Sequence, residues 1–139
     1  MVKKADLNIN CLKDALKTLK ECWDIKENNQ DEKLFDIIAD SCVKRFEYTI
    51  EIAWKIMKKY LKLEYGKEDK ELTINNIFRF MAGYEMIESW ERWKEYYAQR
   101  NNSAQEYNIK KSREILKFIP AFIKDTDILI KNLGKNIDD

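Results

Sequence analysis

Apolar residues recur at steps of three and four along most of this chain, and that spacing predicts helices. Ile9, Leu12, Leu16, Leu19 and Trp23 share one face of a first helix, which the polar run Asn28-Asn29-Gln30 ends. Asp31 is placed to cap the next helix by accepting from its open backbone amides. In that second segment Phe35, Ile38, Cys42, Phe46, Ile50, Ala53, Met57 and Tyr60 advance at about 3.6 residues per step, so a long central helix is expected. Leu34, Ile37, Val43, Ile52, Trp54, Ile56 and Leu61 widen its apolar stripe, which implies more than one helical neighbour. Gly66 and the charged run at 67–71 read as an exposed connection. Thr73 then caps a short helix carrying Ile74, Ile77, Phe78 and Met81, with Gly83 suited to a left-handed end. Ser89 opens a segment with Trp90, Trp93 and Tyr97 on one face, ending near Arg100. After a polar stretch, Asn108 caps a last helix with the stripe Ile109, Ser112, Leu116, Ile119, Ile123, Thr126, Ile130 and Leu133. Pro120 lies inside that stripe and predicts a kink near residues 116–120, because its ring clashes with the carbonyl four residues back.

Composition points the same way. With 3 Gly and 1 Pro in 139 residues, a turn-rich sandwich or barrel is excluded, while 37% charged residues interleaved with 45% apolar ones suit amphipathic helices. The expectation is an all-α fold in a single domain over residues 1–139, long enough for a full core. A net charge of +1 gives only a weak long-range pull toward nucleic acid or an anionic membrane unless charges cluster locally. Cys11, Cys22 and Cys42 form no C-x-x-C pair, and the chain has no histidine, so neither a metal site nor a cofactor is expected. The cysteines read as small core hydrophobes in a reducing compartment. No apolar block follows Lys3 and Lys4, and the longest apolar run is Phe118 to Ile123. These features predict no signal peptide, no membrane span and a cytoplasmic location.

The candidate chemistry concentrates at residues 100–107, Arg-Asn-Asn-Ser-Ala-Gln-Glu-Tyr. Arg100, Asn101 and Tyr107 suit a grip on a phosphate or nucleotide; the same stretch also reads as an interhelical turn. Cleavage of a phosphodiester further needs a group that titrates near neutrality, and histidine, the usual choice, is missing. Glu47, Glu51 and Lys55 recur one turn apart on the long helix, either lining a site or forming an ion-pairing row. Two basic clusters, Lys55-Lys58-Lys59-Lys62 and Lys110-Lys111-Arg113, either contact phosphates or belong to solvated faces. Trp90, Trp93, Tyr96 and Tyr97 stack on bases or a partner helix, or pack inward.

The segment Arg45 to Lys55 (RFEYTIEIAWK), the capped helix from Thr73 through Gly83, Trp90, the stretch Arg100 to Tyr107 and the FIPAF element at Phe118 to Phe122 keep a particular order and spacing. Together, over about residues 31 to 133, they resemble the nucleotidyltransferase substrate-binding family, a branch of the HEPN helical-bundle superfamily. The resemblance implies an antiparallel up-down bundle of four or five helices. It further implies a bacterial homodimer partnered by a separately encoded minimal nucleotidyltransferase, often as a toxin and antitoxin pair. In members that cut RNA, an Arg, a polar residue after it and a His five positions beyond the Arg form the site. Arg100 and Asn101 match that pattern, Gln105 stands at the histidine position, and Tyr107 matches the modifiable tyrosine. An amide does not shuttle protons at neutral pH, so ribonuclease activity does not carry over. The expected role is a non-catalytic binding subunit, with nucleotide or RNA as weak ligands. The competing expectation is a metal-independent ribonuclease in which Glu106 or Glu51 replaces the histidine.

Overall fold

The computed structural model describes the backbone of residues 1–105 and 109–138, with the side chains of 103–105 and 109–111 left aside. Six α-helices and a two-stranded clasp make up these residues: β1 (Val2–Lys3), α1 (Asn10–Asn28), α2 (Glu32–Tyr65), α3 (Ile74–Gly83), α4 (Trp90–Gln105), α5 (Ile109–Leu116), α6 (Ile119–Lys135) and β2 (Ile137–Asp138). The fold is all-α in its framework, as the apolar periodicity requires. Local chemistry sets several boundaries. Asp31 accepts from the Lys33 amide at 2.9 Å and starts α2, and Gly66 ends it in the left-handed conformation at φ 64°. The Thr73 hydroxyl accepts from Asn76 at the start of α3, and Ser89 accepts from Arg92 at the start of α4.

The helices run antiparallel, and side-chain contacts give the register. Across α1 and α2, Cys22 Sγ lies 2.9 Å from Cys42 Sγ near the Asn29–Asp31 link, while the Met1 amino group reaches Glu64 at the far end. Across α2 and α4, Trp54 meets Tyr97 and Glu51 meets Arg100. The core is built on the α2 stripe, with Cys42, Phe46, Ile50, Ala53, Met57 and Tyr60 buried, while Phe35 and Ile38 are half-buried near its start. Trp93 and Tyr96 of α4 close over it with Phe122 of α6, their rings edge to face at 5.1–5.6 Å. Each such large side chain contributes about 1.5–3 kcal/mol of burial. Burial raises the Cys42 thiol well above its ordinary value, and the Cys22 thiol beside it adds to the effect.

The structure corrects several expectations. Residues 100–105 are the last turns of α4 and not an interhelical turn. The helix after residue 108 does not kink at Pro120. It breaks into α5 and α6, and Pro120 sits in the first turn of α6, where its missing N–H leaves no helical hydrogen bond unmade. That break moves the buried stripe: Phe122 and Leu129 are buried, whereas Ile123 and Ile130 are half-buried. Gly83 closes α3 without a left-handed φ, and Glu85 takes that conformation instead, at φ 61°. Cys11 is exposed. Leu34 and Ile37, expected to meet a neighbouring helix, face solvent. The capping role expected of Asn108 lies outside the described residues.

Candidate functional site

Helix α2 carries Glu47, Glu51 and Lys55 on one face, and α4 crosses it in antiparallel register. One carboxylate organises the contact. Glu51 Oε2 accepts from the Trp54 indole at 3.0 Å and lies 3.4 Å from Arg100 Nε, while Oε1 lies 3.3 Å from Lys55 Nζ. Arg100 also donates to Asn101 Oδ1 at 3.3 Å. Trp54 and Tyr97, edge to face at 6.3 Å, wall the cluster on one side. Glu47 lies one turn before Glu51 on α2, and Lys44 approaches it at 3.8 Å.

The electrostatics fix Glu51 as a carboxylate. Its burial raises the carboxyl, but the Trp54 donor, the Arg100 charge and Lys55 together outweigh that and hold it below its ordinary value. A carboxylate held down in this way neither gives nor takes a proton near neutrality. The arrangement suits exchange of partners: an anion that takes over Arg100 must replace Glu51, and the planar guanidinium is suited to a phosphate or carboxylate fork. Of the sequence-predicted site, Arg100, Asn101, Glu51 and Lys55 come together and Glu47 borders them. The Gln105 side chain and Tyr107 lie outside the described residues, as do Glu106 and the side chains of Lys110 and Lys111.

The other candidates separate. Lys58 and Lys62 both turn to Asp69, at 3.6 and 2.9 Å, so that basic cluster is compensated. Trp93 is fully buried and Tyr96 nearly so, which makes them core and not surfaces for a base or a partner helix. Trp90 and Trp54 remain half-buried, with Arg79 stacked over the Trp90 ring at 4.5 Å.

Sequence reasoning missed a second polar group on α4. Asp125 of α6 is buried and accepts both arms of Arg92, from Nε at 2.9 Å and from the terminal nitrogen at 2.8 Å. Tyr96 donates a short hydrogen bond to the same carboxylate, and Glu88 takes a further contact from Arg92 at 3.1 Å. Burial, with the Asp125 hydrogen bond, raises the Tyr96 phenol above its ordinary value. The signal was present: Asp125 interrupts the apolar face Phe122, Thr126, Leu129, and a charge on a buried face needs a partner.

Solved structures share this fold. A protein from Haemophilus influenzae, described as revealing the fold of a substrate binding domain of a nucleotidyltransferase, is 22% identical with a TM-score of 0.82, over 91% of this chain and 99% of its own. A Thermus thermophilus protein is 23% identical with a TM-score of 0.72, over 88% of this chain and 98% of its own. No curated protein matches the chain. The sequence profile described as "Nucleotidyltransferase substrate binding protein like" matches residues 7–135. With nearly the whole chain inside that match, the protein belongs to the nucleotidyltransferase substrate binding protein-like family.

Proposed function

We propose that this chain is the non-catalytic partner subunit of a minimal nucleotidyltransferase and that the end of α4, from Arg100 toward Tyr107, is the part it presents to that enzyme or its substrate. One observation carries the reading: in a chain of this family, the Arg100 side chain at the end of α4 is matched to an ionised Glu51 with Trp54 and Lys55 around it, a charge pair arranged for recognition. The ribonuclease alternative is disfavoured, because Glu51 is held as a carboxylate and Gln105 stands where members that cut RNA have histidine. A cytoplasmic bacterial toxin and antitoxin pair fits this role, as does a homodimer with Trp54 and Trp90 near its interface. Transfer of a nucleotide by the partner to Tyr107, with Arg100 balancing the added phosphate, belongs to the same proposal.

The test joins the full chain with the nucleotidyltransferase encoded beside it. Co-purification and calorimetry are expected to show a complex that Arg100→Ala weakens by about tenfold. Purified protein is expected to leave single-stranded RNA intact, with or without divalent metal. Absence of any complex, or cleavage that Arg100→Ala abolishes, would overturn the proposal.

A further inference from the structure

The end of the bundle remote from Arg100 holds a second, differently built cavity. Trp23 and Lys26 of α1, Phe35 of α2, Arg113 of α5, and Lys117 and Pro120 at the α5–α6 junction line an open depression of about 350 Å³. Among the described residues, no carboxylate lines it. Lys26 Nζ sits 4.5 Å over the Trp23 ring and the Arg113 guanidinium 4.6 Å over the Phe35 ring, so two of its three cations are held on aromatic faces. Arg113 pairs with Asp36. Lys26 and Lys117 have no carboxylate partner among the described residues. The α6 N-terminus adds to the positive potential, since Phe118 gives it no side-chain cap.

A neighbouring cavity of about 310 Å³ shares Phe35 and Arg113 and has the opposite character. Asn29, Gln30, Asp31, Glu32 and Asp36 line it with amides and carboxylates. The pair therefore forms one groove with a cationic end, an aromatic middle and an acceptor-rich end. Two uncompensated lysines match a phosphate monoester, the rings of Phe35 and Trp23, each with a cation over one face, offer apolar contact to a base, and the carboxylates accept from sugar hydroxyls or an exocyclic amine. The volume of each cavity falls in the range of small-molecule sites, about 300–1,000 Å³. Inorganic phosphate would use only one end.

We infer that this groove between α1, α2 and the α5–α6 junction binds a nucleoside phosphate, with Lys26 and Lys117 on the phosphate and Phe35 against the base. This site is separate from the Arg100 cluster and stands whether or not that cluster contacts a partner.

Calorimetry on the full chain, with adenosine monophosphate and inorganic phosphate as probes, tests it. The nucleotide is expected to bind about tenfold or more tightly than phosphate. Lys26→Glu with Lys117→Glu is expected to weaken nucleotide binding by about tenfold or more, and Phe35→Leu to weaken it while leaving phosphate binding unchanged. In Arg100→Ala, the nucleotide binding that the double variant loses is expected to remain. Amide chemical shifts of the wild-type chain, which need no variant to fold, are expected to move around Lys26, Phe35 and Lys117 on adding the nucleotide. Equal affinity for the two probes, shifts confined to the end of α4, or loss of binding in Arg100→Ala with retention in the double variant would each overturn the inference.

Discussion

Helix α4 makes two charge contacts two turns apart, and they differ in kind. At its N-terminal half Arg92 grips Asp125 with both arms, and the Asp125 side chain is only 5% exposed. At its C-terminal end Arg100 meets Glu51 through one nitrogen, with side chains 31% and 29% exposed. A carboxylate removed from water must keep its partners, whereas a half-exposed one can exchange a partner for solvent or ligand at small cost. The first contact fixes where α4 lies against α6. The second leaves the end of that fixed helix open to exchange, as a recognition element requires.

Breaking the buried contact should have the largest effect. Asp125→Ala strands the Tyr96 phenol and releases Arg92, and an unfolding titration is expected to show a loss of about 3–5 kcal/mol. A loss below about 1 kcal/mol would erase the distinction between the two contacts. Tyr96→Phe leaves the ion pair in place and removes one hydrogen bond to a charge, so about 1.5–3 kcal/mol is expected. Glu51→Gln should cost no more than about 1 kcal/mol in the same titration. The acid response sharpens the contrast further. Because the Glu51 carboxyl is lowered on folding from its ordinary value of 4.5, its contribution is fully present above that pH and is lost as pH falls through the lowered value. Between about pH 5 and 3, stability of the wild type is therefore expected to fall more steeply than that of Glu51→Gln. Parallel curves would show that Arg100 and Glu51 do not interact in solution.

Much of the framework was legible because helices α2, α3 and α4 carry both a stripe and a cap: Asp31, Thr73 and Ser89 all act where their side chains predict. The break before α6 was not legible, since Leu116, Ile119, Ile123 and Thr126 continue the three-and-four spacing across it without interruption. Only the choice between a kinked interior and a new first turn distinguishes the two, and Pro120 satisfies either pattern locally. The Arg100 stretch read as a turn because Asn and Ser are weak helix formers; in the fold, antiparallel packing on α2 carries α4 through them. Glu51 and Lys55 were legible as a row, but their meeting with Arg100 depends on a register between helices far apart in sequence. Asp125 was missed because its partner lies 33 residues away.

The 34-residue length of α2 makes it a ruler. At 1.5 Å per residue, Phe35 in the groove and Glu51 beside Arg100 are about 24 Å apart along one axis, well beyond the reach of a single mononucleotide. Substitutions at the two ends should therefore combine additively in free energy. Departure from additivity would mean that the helix shifts or bends as a unit, turning a rigid spacer into a line of communication between its ends.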